Sequence, residues 1–470
     1  MTIRFFNTLG REIQEFKPIM LGSVKLYTCG PTVWNYAHIG NLRTYLFEDV
    51  LRRTLEYSGY EVEHVMNVTD VGHLTDDGDD GEDKMELGAR TAGKSVWEIA
   101  ERYTAAFFDD TDALNIIRPG TICKATDHVE DMIALIERLD QNGFVYITGG
   151  NVYFDTARFD SYGALALLDR QSLQAGARIA VDGNKRNPAD FVLWFTNSKY
   201  KNHVMSWDSP WGIGYPGWHI ECSAMSMKYL GEEIDIHCGG VDHIAVHHTN
   251  EIAQSEGVTG SKWVGYWMHG EWLLTESEKM AKSGDNFITL RRLVEHGFDP
   301  LDYRYFCLGA HYRSQLQYTG EAVSSARSAR TKLVERLRRL RTEVKDVMPA
   351  VESVGERARR YRYEMAGHFA NDINAPKALG VLWTMLKDDD VTPIEKLVVA
   401  FDVDRIFGLD LDGSSFPESD LEAEFVAKIR EREEARRVRD FAKADLLREE
   451  LKQAGIIVED TPKGTKWLRK

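Results

Sequence analysis

Two short runs carry residue types and spacing suited to chemistry on a phosphate. His38-Ile39-Gly40-Asn41 follows an alternating, strand-like stretch and opens a helical one. A helix N-terminus presents unpaired N–H groups and the positive end of a dipole, which is where α/β folds hold phosphates. His38 and Asn41, three apart, suit donation to a phosphate as charge develops, and Gly40 lets the backbone approach closely. The second run, Lys279-Met-Ala-Lys-Ser283, lies about 240 residues later and sets two lysines three apart before a Ser-Gly. Such a cationic loop suits closure over a triphosphate. Either run alone is a weak signal, since four-residue matches and Lys-rich surface loops arise by chance.

The elements needed to position these residues are legible. Val24–Gly30 alternates and ends in a Gly-Pro turn, which predicts a strand. Leu42, Leu46, Val50 and Leu51 keep a helical period from Ile39 that Gly59 ends, and Tyr60–Val68 predicts the next strand. Strand, helix and strand at this spacing predict a right-handed parallel βαβ unit within a doubly wound sheet. From about Thr126 the pattern changes to a helix near Val129–Asn142, a hairpin-like Gly143–Thr156 and a polar stretch Gln171–Asn187, read as an insertion. Further signals predict helices over Ile220–Leu230 and Thr249–Ser255 and a strand over Ile234–His237. The acidic cluster Asp76–Asp83 reads as a solvated loop.

Beyond about Ser324 the chain reads as predominantly helical. Ala322–Asp346 carries eight basic against three acidic side chains, and Val426–Lys470 thirteen against nine, with a Gly/Pro/Ser linker at Leu409–Asp420 between them. The whole chain has a net charge of −16, which argues against a nucleic-acid partner until these two basic segments are weighed. At 470 residues, two to four domains are expected. Five scattered cysteines are no disulfide framework and suit a reducing compartment. With no apolar run long enough to span a bilayer and no leader-like start, a cytoplasmic protein without membrane contact is expected.

Jointly and in this order, the runs at 38–41 and 279–283 resemble the paired signatures of class I aminoacyl-tRNA synthetases. Cys-Gly-Pro-Thr-Val at 29–33, Pro-Gly-Trp-His-Ile-Glu-Cys-Ser-Ala-Met at 216–225 and the Gly239–Gln254 block resemble the cysteinyl-tRNA synthetase family, and the similarity extends from Phe5 to Trp467. Three positions depart from that pattern: Asn41 for the last His of HIGH, Ala281 for the central Ser of KMSKS, and Thr249 for an acid after His-His.

The resemblance implies an α/β fold: a Rossmann-like catalytic domain (1–125 and 208–270) split by an insertion (126–207). A loop-bearing stem-contact region (271–323), an all-α bundle (324–410) and a small anticodon-binding domain (421–470) would follow. It implies activation of L-cysteine by ATP and transfer to tRNA(Cys), by a monomer. One Zn²⁺ per chain would be held by Cys29, Cys222, His247 and Glu251, a mixed S, N, O set that suits the metal. His247 and Glu251, four apart, share a helix face. His38, Asn41, Lys279 and Lys282 would stabilise transition-state charge. His38, Gly40, Asn41, Gly239, Asp242 and Lys282 would hold ATP with its Mg²⁺, Asp242 at the ribose. Trp218 would wall the cysteine pocket, with Cys29, Thr69 and His219 beside it. Cys123, Cys238 and Cys307 read as buried small side chains, His243 and His248 as structural. Two rivals remain: the cysteine ligase of mycothiol biosynthesis, against which the basic tail and Trp467 speak, and a non-catalytic tRNA-binding paralogue, against which Lys282 and the zinc set speak.

Overall fold

The computed structural model describes residues 2–72, 94–167, 183–197, 204–275, 287–344 and 347–412, and, within the tail, 428–429, 431–433, 435–436, 440–453, 456–461 and 464–469. The acidic cluster Asp76–Asp83, most of the polar stretch Gln171–Asn187, and Lys279–Ser283 lie outside the described residues.

An antiparallel pair, β1 (Arg4–Asn7) and β2 (Glu12–Glu15), precedes the first βαβ unit. That unit is β3 (Ser23–Thr28), α1 (Ile39–Tyr57) and β4 (Glu61–Val68), with β3 and β4 parallel as the sequence pattern predicts. Just past β3 the chain grazes β4 so closely that a Cβ on Gly30 would sit 1.5 Å from the Asn67 carbonyl oxygen; only glycine fits there. Helix α2 (Val96–Ala113) starts at a reciprocal Ser95–Glu98 capping box and leads to β5 (Thr121–Lys124), parallel to β4.

After α3 (Val129–Gln141) come β6 (Val145–Thr148) and β7 (Asn151–Phe154), a hairpin turned by Gly149 and Gly150, both at positive φ. With β8 (Phe191–Phe195) and β9 (Tyr215–Pro216) they form a separate antiparallel sheet, ordered β6-β7-β8-β9. The inserted strands still share one core with the parallel sheet's helices, since Phe154, Phe191 and Trp194 pack in the same cluster as Met132, Met225 and Ala253. Then α4 (Trp218–Leu230), β10 (Ile234–Gly240), α5 (His247–Thr259) and β11 (Val264–Gly270) complete a parallel sheet ordered β11-β10-β3-β4-β5. The order reverses between β10 and β3, and ligands of such sheets bind at the carboxyl ends beside that point.

β12 (Leu273–Leu274), α6 (Leu290–Glu295), α7 (Pro300–Leu308) and β13 (Leu316–Gln317) link the sheet to a bundle of α8 (Gly320–Glu343), α9 (Glu356–Ala370), α10 (Ala375–Lys387) and α11 (Pro393–Phe407). The chain divides into two compact units, 1–409 and 410–470. The second contains α12 (Phe441–Gln453) and then an antiparallel hairpin of β14 (Ile456–Thr461) and β15 (Gly464–Arg469). The reading of the chain beyond Ser324 as predominantly helical does not include this hairpin. Ile456-Ile-Val458 is a β-branched run, and Thr-Pro-Lys-Gly at 461–464 is a turn signal that charge counting passed over.

Helix α1 also differs from its amphipathic reading, for it buries Arg43, Glu48 and Asp49 along with its apolar face. Asp49 meets Arg304 of α7, a side chain with no exposure. Arg304 Nη2 donates to Asp49 Oδ2 at 2.6 Å, Nε to Phe407 O at 2.6 Å, and Nη1 to Leu114 O and Asn115 O at 2.9 and 3.0 Å. One guanidinium therefore joins α1, the end of α2 and the end of α11. Burial tends to raise the Asp49 carboxyl, but Arg304 and Arg53 outweigh it and hold it below its usual value. A depressed carboxyl contributes stability above the unfolded value of ~3.9, which is lost as pH falls through the folded value. Arg304→Ala should destabilise unit 1 by about 3–5 kcal/mol, because it removes a fully buried partner of Asp49, leaving only Arg53 and the Ile117 N–H on the carboxylate, and takes the donor from three buried carbonyls. Urea unfolding followed by near-ultraviolet circular dichroism checks this, and a loss below about 1 kcal/mol would contradict it.

Candidate active site and metal centre

Site residues arrive on the carboxyl ends of the strands that flank the switch point. Cys29 follows β3, Thr69 follows β4, Gly239 lies at the end of β10, and Asp242 sits in the 3₁₀ turn Val241–His243 behind it. Cys222 comes from α4, while His247 and Glu251 stand one turn apart on α5. These four expected ligands converge: one donor atom each of Cys29, Cys222, His247 and Glu251 lies within 4.8 Å of the others, and all four residues are buried.

The carboxylate of Glu251 organises the cluster. Its Oε2 accepts from His237 Nε2 at 2.9 Å. Its Oε1 is buried without a hydrogen bond, 2.9 Å from His247 Nε2 but misaligned with it, and 3.9 Å from His248 Nε2. An orphaned carboxylate oxygen facing two sulfurs and an imidazole suits a four-coordinate zinc. Burial alone would raise Glu251, yet His237 and His247 hold it at about 2. Burial likewise works against a charged His247, and Glu251 with Cys222 overturns that, lifting it to about 10. A hydrogen bond from Cys29, then His247, brings Cys222 down to about 6, whereas burial pushes Cys29 well up. These shifts favour charge on the Cys222 sulfur, the Glu251 carboxylate and the His247 ring, donors that a divalent cation would take up with loss of the His247 proton.

Neighbours fix the rings. His219 Nδ1 lies 3.0 Å from His247 Nδ1, so His247 turns Nε2 towards Glu251. Cys29 Sγ lies 3.2 Å from His248 Nε2, His248 Nδ1 2.8 Å from His269 Nε2, and His269 Nδ1 2.8 Å from Thr8 Oγ1. Trp218 stacks on His247 at 4.2 Å. Thr69 reaches the pocket through Glu221, its hydroxyl donating to Oε2 at 2.9 Å. Sequence reasoning missed His237 and Glu221 and set His248 aside as structural. β10 and the middle of α4 are buried without alternation, so no pattern marks which polar residue faces the pocket.

At the nucleotide end, His38 is the N-cap of α1. Its Nδ1 accepts from the Asn41 N–H at 3.1 Å, and Asn41 Oδ1 accepts from the His38 N–H at 3.2 Å. The Ile39 N–H is also taken, by Ile288 O at 2.8 Å. This corrects the expectation of an open helix terminus: the Ile39 and Asn41 N–H groups of the first turn are both used within the protein. Since Nδ1 accepts, a neutral His38 carries its proton on Nε2. Gly40 is small because the His38 ring folds over it, 2.9 Å from where a Cβ would stand. Gly239 has no room either, as a Cβ would lie 2.5 Å from His243 Nδ1. The described chain on both sides of Lys279 and Lys282 is tied to α1, through Phe287 and Ile288 after them and through Arg43 to Glu271 O and Trp272 O before them.

Residues 15–328 match the family model for the class I (C) tRNA synthetase catalytic domain, and residues 418–467 the model for the cysteinyl-tRNA ligase anticodon binding domain. Among solved structures, Mycobacterium tuberculosis methionyl-tRNA synthetase bound by methionyl-adenylate aligns with a TM-score of 0.58 at 17% identity, covering 91% of this chain and 96% of that one; this shows a common fold. The chain is a class I aminoacyl-tRNA synthetase by fold and catalytic domain. A cysteine–tRNA ligase of Treponema denticola is 50% identical with all of both chains aligned, and cysteine–tRNA ligase 1 of Burkholderia lata is 49% identical over 99% of this chain and 96% of its own. Within the class, the chain belongs to the cysteine–tRNA ligase family. No described helix is long and apolar enough to cross a membrane.

Cys222→Ala should abolish most metal binding, because no neighbouring thiol is placed to replace that ligand. Metal content of the purified protein reads the outcome, with about one zinc per chain expected in the wild type. A Cys29→Ala, Cys222→Ala double variant that keeps near-stoichiometric zinc would refute the ligand set.

Proposed function

We propose that this chain activates L-cysteine with ATP and transfers the aminoacyl group to the 3′ end of tRNA(Cys). The observation that carries this reading is the convergence of Cys29, Cys222, His247 and Glu251 in one buried pocket, walled by Trp218, on the same sheet edge as the His38–Asn41 cap. Zinc on those four ligands would supply a soft Lewis acid for the substrate sulfur, a bond that the hydroxyl of serine does not match at neutral pH. Trp218 and Thr69 would close the pocket around the substrate.

No protein nucleophile is required. The cysteine carboxylate attacks the α-phosphorus of ATP, the bond to pyrophosphate breaks, and a terminal tRNA hydroxyl then displaces AMP from the adenylate. His38 through Nε2–H, Asn41 through its amide NH₂, and Lys279 and Lys282 through their charges would stabilise the transferring phosphate, so catalysis is positioning plus electrostatics. Asp242, with Gly239 beside it, would hold the ribose, and Mg²⁺ would accompany ATP. The match of residues 418–467 to an anticodon-binding domain favours tRNA over a glucosaminyl-inositol acceptor. The enzyme would work as a cytoplasmic monomer.

ATP–pyrophosphate exchange across the twenty amino acids tests the reading: cysteine should support exchange and serine should not, with no separate editing step. Exchange with serine at a comparable rate would refute it. Lys282→Ala should slow exchange by orders of magnitude and leave cysteine affinity nearly unchanged, since its charge matters as pyrophosphate departs. A chain truncated near Asp420 should still support exchange but charge tRNA poorly, through a raised KM for tRNA. Wild-type charging should weaken steeply with salt. Unimpaired charging by the truncated chain would exclude a role for the tail.

A further inference from the structure

Arg43 is a buried cation on the first turns of α1, 4% exposed, and among the described residues no carboxylate lies within ion-pair distance of it. Its guanidinium gathers carbonyls instead. Nη1 donates to Glu271 O at 2.8 Å and Trp272 O at 2.6 Å, and Nη2 to His311 O at 3.3 Å and Ser314 O at 2.5 Å. Arginine alone offers enough donors in a fixed fork for this; a lysine ammonium is a single point.

What it gathers is the exit of β11. Glu271 N–H also donates to Tyr312 O at 2.8 Å, and Trp272 O accepts a second bond from the Leu316 N–H at 3.1 Å, where β12 and β13 pair. The main chain at Trp272 is thereby pinned to α1 from one side and to β13 from the other. From that fixed point the indole Nε1–H reaches Asp242 Oδ1 at 3.4 Å, across from β11 to the turn after β10. A carboxylate held at one oxygen presents the other in a set direction, and direction is what a ribose contact needs.

We infer that Arg43 and Trp272 are positioning residues for the nucleoside of ATP: Arg43 locks the main chain at 271–272, and the Trp272 indole aims the Asp242 carboxylate at the ribose. The inference rests on the proposed ATP-dependent activation and on Asp242 as its ribose ligand.

The full-length, metal-loaded chain tests it in ATP–pyrophosphate exchange with ATP, 2′-deoxyATP and 3′-deoxyATP. Trp272→Phe keeps the ring and removes the N–H. It should raise KM for ATP about tenfold, the scale of one lost hydrogen bond to a charged group. KM for cysteine and metal content should stay within about twofold. In the wild type, losing the ribose hydroxyl that Asp242 binds should cost affinity; in Trp272→Phe the same loss should cost several-fold less, because the two changes break one interaction. Arg43→Lys should show the same split between the two substrates, and where Arg43→Ala does not fold, Trp272→Phe decides. Additive penalties, or cysteine KM and metal content moving together with ATP KM, would overturn the inference and leave both residues merely structural. Should the wild type activate no cysteine, the proposed function fails instead. Titration of wild type and Trp272→Phe with a non-hydrolysable ATP analogue then decides the present point, equal affinities overturning it.

Discussion

Helix α1, nineteen residues long and buried along most of its length, carries a cation and two acids into the core, where a charge without a partner is costly. Asp49 takes Arg304, and Arg43 takes four carbonyls. Among the described residues Glu48 has no hydrogen-bond partner at either oxygen, and burial pushes its carboxyl well up. At the far end, Tyr57 donates to Asp402 of α11. A buried charge is costly unless its geometry is good, so each such bond fixes where its partner sits. The sheet edge, the β11 exit and the bundle all take their positions from this one helix. The His38 cap, the proposed phosphate contact, is simply the N-terminal end of that helix.

A second constraint governs the metal pocket: crowded imidazoles cannot all be charged. Burial drives His243 down to about 4, and drives His248 and His269 well below the ordinary range, each helped by its histidine neighbours. His247 instead rises, because Glu251 and Cys222 surround it. Charge is thus favoured on His247 beside Glu251 and disfavoured on the rings of His243, His248 and His269. Those rings are then left to orient ligands by hydrogen bonding rather than to compete with a cation by repulsion.

How much of this the sequence discloses differs by kind of feature. The first βαβ unit is written plainly, because a period of two, a period of 3.6 and a terminating glycine are local signals. The phosphate motifs are local too. The four proposed ligands are not: Cys29, Cys222, His247 and Glu251 span more than 220 positions, and only the resemblance singles them out. Their meeting depends on strand order, which places β3 beside β10 although about 200 residues separate them. His237, Arg43 and Arg304 leave no trace at all, since a polar residue inside a buried element looks like a break in the pattern rather than a tie between elements. The C-terminal hairpin is written in a β-branched run and a Thr-Pro-Lys-Gly turn signal, but the dense charge around them carries a helical pattern that overlies those short signals.

The departures from the family pattern become intelligible from the same geometry. A capping box needs, at its third position, a side-chain oxygen that accepts from the cap N–H. Asn41 supplies that oxygen and still carries an NH₂ that can donate outward, whereas an imidazole at 41 would have to divide its two nitrogens between the same tasks. Asn41 therefore preserves the cap that orients His38 and keeps a donor at the phosphate side. Thr249 lies between two metal-pocket residues in sequence, yet its hydroxyl donates to Ile244 O at 2.7 Å, back along its own chain. Residues 247 and 251 share one face of α5, and a side chain two positions on from His247 projects from another. Position 249 accordingly stands apart from the proposed ligand face, and threonine there leaves the proposed set of two sulfurs, one imidazole and one carboxylate intact.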